Sequence, residues 1–189
     1  MLMKEKGMDY FTALYDVARI INASLDPEHV LAEIVRSVAV AMHLEAAIIR
    51  LFDSRGKKLV MGAVYGLSDK YLQKGPILID ESGIDKSALA GKTIWLENAQ
   101  RDAKFQYRDM AKAEGIKSVL VTPLTVERKV IGVLRVYSHK VRKFEKQEIR
   151  FLEAVANLSA IALDNARLHQ GLQTDCDLMA AHKYRIDDN

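Results

Sequence analysis

Residues 118–138, SVLVTPLTVERKVIGVLRVYS, decide how this chain folds. Two runs rich in β-branched residues, 118–124 and 129–138, flank a short charged stretch, which is the pattern of two strands joined by a tight turn. Pro123 has no amide hydrogen to donate, and a strand tolerates this near its end. We therefore expect an antiparallel hairpin that forms part of a sheet.

A second hairpin is predicted earlier in the chain. Residues 46–52 form a short apolar run, a turn follows at 53–56, and residues 59–65 read as a strand closed by Gly66. The segment between the hairpins is irregular, with breaks at Gly75-Pro76 and Ser82-Gly83. The elements expected there are strands at 77–79 and 93–96, a helix near 85–90, a polar loop at 97–107 and a helix at 108–114 that ends at Gly115.

Helices are predicted at both ends of the chain. Residues 8–23 repeat apolar side chains at three- and four-residue steps, and Asp26-Pro27 marks the start of a second helix. A long helix from 145 to about 173 carries one apolar stripe that can cover a sheet. Its second stripe has the alternating spacing of a helix–helix seam and consists of Leu158, Ile161, Asn165, Leu168 and Leu172. The polar residues after Asp175 are expected to fray.

This order of elements predicts an α+β domain. A central antiparallel sheet of five to six strands carries the terminal helices on one face, and a lid of loops and short helices covers the other. A pocket between sheet and lid follows from this arrangement. We divide the chain into an N-terminal helix for dimerisation or signalling at 1–24, the domain itself at 25–170, and a polar C-terminal tail at 171–189.

Composition narrows the function classes. The formal net charge of +3 is small and the positive residues are spread along the chain, so no nucleic-acid partner is expected. The one cysteine, Cys176, excludes a disulfide framework and an all-cysteine metal site. No apolar run is long enough to span a bilayer, and the charged start is unlike a signal peptide. We therefore expect a soluble, cytoplasmic protein with no membrane partner.

Six segments, in this order and spacing, resemble the GAF domain family over residues 8–170. They are 22–26 (NASLD), 64–67 (VYGL), 102–105 (DAKF), 115–118 (GIKS) with Pro123-Leu124, 131–134 (IGVL) and 144–163. The last segment runs into the closing sequence AIALDNA at 160–166. The resemblance implies a GAF/PAS-like fold that binds a small molecule and regulates an output. Gly132 is expected to let a helix approach the sheet closely.

The chain departs from the family pattern at two places. Glu127-Arg128-Lys129 stands where the family often has glycine, so we expect a different type of turn. Glu145 stands where the family often has threonine as a helix cap.

Each chemistry known for GAF domains requires particular residues at the pocket. Cys176 lies beyond the domain, so it is not expected to hold a bilin, and one cysteine cannot do the work of the free methionine sulfoxide reductases of this fold. His139 is the one histidine near a pocket rim that could ligate haem, and a surface or capping role is preferred for it. No histidine and acid spacing indicates a metal site.

The signature of cyclic-nucleotide-binding GAF domains is matched only in part. Lys140, Phe144 and Glu148 fit it, whereas His139 replaces an asparagine and Ile149 replaces the second acid. An ion pair between Lys140 and Glu148 is the preferred interpretation.

Two arginines inside strands give the sharpest prediction. The GAF resemblance makes the strands of Arg50 and Arg135 neighbours, and alternation turns both side chains toward the lid together with Ile48, Phe52, Val133 and Tyr137. Buried guanidinium groups need anionic partners. These are either a carboxylate or phosphate ligand, or Asp80, Glu81 or Asp85 of the lid, and a ligand can displace such an internal pair.

The candidate ligand-binding residues are Arg50, Phe52, Tyr65, Trp95, Thr122, Arg135 and Tyr137. Tyr65, Trp95 and Tyr71 are expected as apolar walls with polar tips, with ordinary core packing as the alternative. No phosphate loop, nucleophile elbow or acid–His–nucleophile set is present, so we expect no enzyme and no catalytic residue.

The function expected from the sequence is that of a sensory regulatory domain with an unidentified, anionic small-molecule ligand. The alternatives are a ligand-free dimerisation scaffold and a cyclic-nucleotide-binding GAF domain. No cofactor is assigned; a homodimer through the terminal helices and a separate output protein are the expected partners.

Overall fold

The structure, a computed structural model, describes residues 9–24, 26–53, 55, 57–75 and 77–187, and side chains as far as Cys176 except at 170 and 175. Parts of the expected first helix, helix link, turn, chain break and tail fall on residues 8, 25, 54, 56, 76 and 188–189, outside the described residues. The elements are α1 (Tyr10–Ala23), α2 (Pro27–Ala41), β1 (Ala46–Phe52), β2 (Lys58–Tyr65), α3 (Asp69–Leu72), β3 (Ile77–Leu78), a 3₁₀ turn (Ile79–Glu81), α4 (Gly83–Leu89), β4 (Ile94–Leu96), α5 (Arg108–Glu114), β5 (Ser118–Val126), β6 (Lys129–Ser138) and α6 (Lys146–Asp187).

The six strands form one antiparallel sheet in the order β3-β2-β1-β6-β5-β4. The two predicted hairpins, β1–β2 and β5–β6, therefore meet through their inner strands, β1 and β6. This confirms the predicted α+β architecture and brings the two arginine-bearing strands side by side.

The β5–β6 turn keeps two left-handed residues without glycine. Glu127 has φ 45° and Arg128 has φ 70°, and positive φ at both central residues marks a type I′ turn. The expectation of a different turn type is therefore wrong. The left-handed residues are unfavourable by about 1–2 kcal/mol each, and the match of this turn to the strand twist offsets part of that loss.

The terminal helices cover one face of the sheet. Asp26 caps α2, accepting a hydrogen bond from the Glu28 amide at 3.0 Å, as predicted from the Asp26-Pro27 pair. The apolar faces of α2 and α6 then pack on sheet residues of this side. The buried set includes Ile34, Val35, Val38, Met42, Ala47, Ile49, Leu120, Leu124, Leu134, Val136, Leu152, Val155 and Ala156.

The lid covers the opposite face. It comprises α3, β3, α4 and the loop before α5, and Phe105 of the DAKF segment is buried in it. The Ile84 amide donates to the Lys104 carbonyl at 3.2 Å, which joins α4 to that loop. Gly115 has φ 79° and ends α5, as predicted.

Gly132 permits a close approach of strands. A Cβ there would lie 2.3 Å from the Arg50 carbonyl oxygen and 2.9 Å from a Leu51 methyl. The neighbour that requires glycine is therefore β1, and the expectation of a close helix is wrong.

Helix α6 is longer than expected. It continues to Asp187, whereas fraying was predicted after Asp175. The segment contains no proline and many good helix formers, so its polarity alone does not end the helix.

Candidate functional site

The two predicted arginines lie on the lid face of adjacent strands. Arg50 pairs in register with Val133, and Arg135 pairs with Ile48, so the arginines are diagonal cross-strand neighbours about 7–8 Å apart at the backbone. A β-bulge interrupts the β1–β2 pairing between Ile49 and Arg50. Both side chains are almost fully buried, with exposures of 3% and 1%.

Arg135 pairs with a carboxylate from the lid. Its guanidinium binds Asp85 of α4, whose exposure is 0%. Ser82, at the start of α4, donates its hydroxyl to the other oxygen of the same carboxylate. Of the three lid acids that the sequence left open as internal partners, Asp85 is the one used.

Arg50 is much less satisfied than Arg135. Its Nη1 donates to the Leu59 carbonyl oxygen at 3.5 Å, the outer limit of a hydrogen bond. The Nε atoms of Arg50 and Arg135 are buried and have no hydrogen-bond partner among the described residues. Of the two buried guanidinium groups, therefore, only that of Arg135 is paired with a carboxylate.

Two tyrosines complete the buried polar group. Tyr137 follows Arg135 on the same face of β6, and Tyr71 of α3 meets it edge to face with ring centroids 6.2 Å apart. Within the described chain neither hydroxyl makes a hydrogen bond of standard geometry. Burial, together with the nearby Tyr137, raises the pKa of Tyr71 well above its usual value.

Lys74 adds a third basic group. Its Nζ lies 3.2 Å from the centre of the Tyr71 ring and 5.4 Å from that of Tyr107. Burial, followed by the positive charges of Arg135 and Arg50, lowers the pKa of Lys74 to about 6.

The same environment acts on the guanidinium groups. Burial lowers the pKa of Arg50, and the nearby Arg135 acts in the same direction. Burial also opposes the charge of Arg135, but Asp85 and Tyr137 outweigh it and raise the pKa of that group.

Four of the seven predicted site residues lie on the lid face: Arg50, Phe52, Arg135 and Tyr137. The other three lie on the helix face, which corrects their assignment. Tyr65 pairs with Ala47, Trp95 with Leu120 and Thr122 with Leu134, and these partners all belong to the helix-side core.

The three residues on the helix face differ in how far they are buried. Tyr65 and Trp95 are partly exposed, at 37% and 43%. Thr122 is buried, and its hydroxyl lies 3.3 Å from that of Thr93.

Sequence reasoning missed Lys74 as a member of the site. It lies in the irregular segment between α3 and β3, where no periodicity predicts the direction of a side chain. Tyr71, for which the sequence left a pocket wall and ordinary core packing open, is 1% exposed and lies in the buried cluster under the lid.

The junction between β6 and α6 differs from the expected one. Glu148 binds Arg142, and not Lys140 as predicted. Its other oxygen accepts from the Glu145 amide at 2.8 Å, so Glu148 supplies the reciprocal half of a capping box at the start of α6. The Ser118 hydroxyl lies 2.8 Å from the carbonyl oxygens of Glu97 and Lys140 and donates to one of them. It also accepts from the Arg142 amide at 2.8 Å, which fixes this junction to β5.

These features define an α+β domain whose antiparallel sheet is enclosed between terminal helices and a lid. The family model described as "GAF domain" matches residues 24–164, and the chain belongs to the GAF domain family. GAF domains are in general regulatory signalling domains that often bind ligands.

Known relatives are distant. The chain is 23% identical over 167 residues to the formate hydrogenlyase transcriptional activator of Salmonella typhimurium, in an alignment covering 86% of this chain and 24% of the activator. The chain thus spans about a quarter of the length of the curated relatives it matches.

Solved structures support the fold. The GAF domain of a phosphoenolpyruvate-protein phosphotransferase from Coxiella burnetii matches with a TM-score of 0.78 at 20% identity, covering 88% of this chain and 99% of that one. The free methionine-R-sulfoxide reductase of Neisseria meningitidis, solved with its substrate, matches with a TM-score of 0.73 at 18% identity, covering 89% and 96%.

Two kinds of feature are absent from the described residues. None of these helices has the length and apolarity required to cross a membrane. Within the same residues, no cluster of three or more His, Cys, Asp or Glu side chains is arranged to hold a metal ion.

Proposed function

We propose that this GAF domain is a sensor of a small anion that binds between the sheet and the lid, with Arg50 and Arg135 as its main contacts. The observation that carries the proposal is the charge imbalance: two buried guanidinium groups face one buried carboxylate. A buried charge without a partner is unfavourable by several kcal/mol. An anion bound at the two unpartnered Nε atoms would remove that penalty.

Asp85 acts in this proposal as an internal counter-ion. In the conformation described, Tyr71, Tyr137 and Arg135 fill the space under the lid, so a ligand enters only when the lid moves. A ligand carboxylate that replaces Asp85 at Arg135 would release α4 from the sheet. Ligand binding and the opening of the lid are then coupled through one conformational equilibrium.

The signal would leave the site through β6. This strand carries Arg135 and Tyr137 and leads directly into the junction that caps α6. The Arg142–Glu148 pair and Ser118 hold the junction, so a shift of β6 would be passed to the orientation of α6. The activator from Salmonella, a transcriptional activator by name, supports a regulatory rather than a catalytic role for this domain.

We further propose that the terminal helices form a homodimer. The second stripe of α6 leaves Ile161, Leu168 and Leu172 exposed at 53%, 61% and 66%. Asn165 occupies an a position of the heptad that this stripe defines, and an Asn at such a position pairs with its own copy in parallel two-stranded coiled coils. A second copy of the chain is therefore the occupant that fits.

A groove of about 320 Å³ beside Asn165 continues this surface toward the link between α1 and α2. Its apolar lining includes Ile21, Val30 and Leu163. Residues 1–24 would serve the dimer, residues 25–170 the sensor, and residues 171–189 would lead toward an output partner.

The dimer is tested by light scattering during size-exclusion chromatography. Leu168→Glu should convert a dimer to a monomer. The monomer should remain folded, because the Leu168 side chain is exposed in the single chain. An exposed change away from the stripe, Arg101→Glu, should leave the mass unchanged. A monomeric wild type at micromolar concentration, or a dimeric Leu168→Glu, would refute the dimer.

The anion site is tested by titration calorimetry and thermal shift with formate, acetate and oxalate. Arg50→Met should abolish binding yet remain folded, because an apolar group of similar size can replace a buried charge without loss of stability. Arg101→Met, at an exposed arginine of the loop before α5, is the matched control and should bind as the wild type does. Equal responses of the wild type and Arg50→Met would refute the proposal.

The second candidate is a ligand-free scaffold, and one observation favours it: the Arg135–Asp85 pair is closed and the surrounding side chains are fully buried. A wild type that binds none of these anions and still forms the dimer would establish it. For cyclic nucleotides no comparable observation exists, since Glu148 of the partial signature is engaged by Arg142 and the helix cap.

A further inference from the structure

Lys74 occupies an unusual position for a lysine. Its Nζ is buried between the rings of Tyr71 and Tyr107, and it has no hydrogen-bond partner in the described part of the chain. Lysine normally keeps its ammonium group in water while its stem lies on apolar surface. Here the stem carries the amine inward, toward the two arginines.

The groups that face Lys74 come from every element around it. Arg50 on β1 and Arg135 on β6 repel its positive form, and Asp85 on α4 and Glu114 on α5 attract it. Glu114 already accepts hydrogen bonds from the amide and hydroxyl of Ser68. The faces of Tyr71 and Tyr107 attract a cation, and the ring of Tyr137 lies beyond Tyr71.

The charge of this cluster defines the ligand that would complete it. Arg50, Arg135 and protonated Lys74 carry three positive charges, and Asp85 supplies one buried negative charge. With Asp85 kept in the cluster, a monoanion leaves one positive charge without a counter-charge, whereas a dianion neutralises the cluster. If the ligand displaces Asp85 from Arg135, a second negative charge on the ligand is needed all the more.

We propose, on the basis of the anion-sensing function above, that the ligand is a small dianion and that Lys74 is the third cationic contact and the residue that selects a dianion over a monoanion. In the absence of a ligand the amine is largely neutral at pH 7. When a dianion binds, the amine takes up a proton from solvent and donates to the second negative group of the ligand.

Proton uptake gives this proposal a specific pH dependence. The pKa of Lys74 is about 6 without ligand, so if the amine stays protonated in the complex, affinity should rise about 50-fold from pH 8 to pH 6. At pH 7 the complex should take up about 0.9 proton per site.

The experiment compares oxalate with formate by titration calorimetry at pH 6, 7 and 8. Both anions are fully ionised over this range, so any pH dependence comes from the protein. Each titration is repeated in two buffers of different ionisation enthalpy, which yields the number of protons taken up. Sulfate is added as a dianion with both charges on one group.

The expected result is a preference for oxalate of about tenfold or more at pH 6, the value of one additional charge-assisted contact. Proton uptake should accompany oxalate but not formate. Lys74→Met should abolish the preference and the uptake and keep formate binding. Lys70→Met, at an exposed lysine of the short helix α3 that precedes Lys74, should behave as the wild type.

The remaining outcomes separate the two proposals. Formate and oxalate binding with equal affinity and no proton uptake would overturn the role of Lys74 and leave the anion sensor intact. An unchanged oxalate preference in Lys74→Met, once its folding is verified by circular dichroism, would do the same. Failure of oxalate, sulfate and formate to bind the wild type would overturn both. Sulfate binding without oxalate binding would support a dianion whose charges lie on one tetrahedral group.

Discussion

Asp85→Asn tests the electrostatics of the site most directly. The substitution keeps the size of the side chain, removes its negative charge and replaces one accepting oxygen by an NH2 donor, so Arg135 is left buried without a counter-charge. Removal of one partner of a buried ion pair destabilises proteins by about 3–5 kcal/mol. For a chain of this size, that corresponds to a melting temperature lower by about 6–20 °C.

The assay is thermal and urea unfolding followed by circular dichroism. Asp80→Asn is the matched control on the same lid: Asp80 is paired with Lys86 at 3.8 Å, but its side chain is 97% exposed. A surface pair of this kind contributes about 0–1 kcal/mol. The reasoning fails if Asp85→Asn is no less stable than Asp80→Asn.

Rescue of the variant separates a binding site from a purely structural pair. If the site accepts anions, formate should substitute for the missing carboxylate and raise the melting temperature of Asp85→Asn in a concentration-dependent way. The double variant Asp85→Asn, Arg135→Met no longer holds the unpaired charge at residue 135 and keeps only Arg50, so it should recover much of the lost stability and respond less to formate. A formate response in the double variant equal to that in Asp85→Asn would contradict the proposed contact.

Two further predictions concern stability. Gly132→Ala should destabilise the domain by about 2 kcal/mol or more in urea unfolding, because the new Cβ would lie 2.3 Å from the Arg50 carbonyl oxygen; Gly171→Ala, which meets no atom within 4 Å on the exposed part of α6, should be neutral or slightly stabilising. Lys74→Met should raise the free energy of unfolding by roughly 2–4 kcal/mol at pH 7, because the wild-type amine gives up its proton on folding and methionine does not; the range allows for the partial exposure of the side chain. Between the folded-state pKa of about 6 and the reference value of 10.5, the unfolded wild type binds more protons, so its stability rises with pH by up to about 1.4 kcal/mol per unit. That slope should disappear in Lys74→Met and persist in Lys70→Met, and an equal slope in both variants would contradict the assignment.

The sequence predicts the elements of this fold well because their signals are local. The Asp26 cap, the strand runs and the Gly115 helix stop each depend on a few adjacent residues, and all are confirmed. The same local information places Arg50 and Arg135 on one face once their strands are known to be neighbours.

The site residues predicted on the wrong face of the sheet include two in strands without an alternation of polar and apolar residues. β5 is buried on both faces, so the apolar pattern around Thr122 does not show which side chains face the helices and which face the lid. Its register with β6 decides the matter, since Thr122 lies opposite Leu134 and not opposite Arg135. Trp95, in a three-residue edge strand, lacks a pattern of its own for the same reason.

Lys74 illustrates a different limit. Its direction is set by how α3 is held, and α3 is held by a contact distant in sequence: Glu114 accepts from Ser68, which caps the helix. No local rule links residue 114 to the side chain at residue 74. Sites that depend on lid segments are therefore the last part of such a fold that a sequence can predict.

The composition of the lid face is itself an argument for ligand binding. A core selected for stability alone would replace Arg50, Arg135 and Asp85 with apolar residues, because such exchanges of buried ion pairs are often neutral or stabilising. This face instead holds two guanidinium groups, an amine whose pKa is lowered to about 6, and two phenols without standard hydrogen bonds, against one carboxylate. Arg50, Lys74 and the two phenols are poorly satisfied in the closed domain and would become favourable if an anion bound beside them. The free energy gained when an anion binds these groups would then drive the change of conformation that a sensor requires.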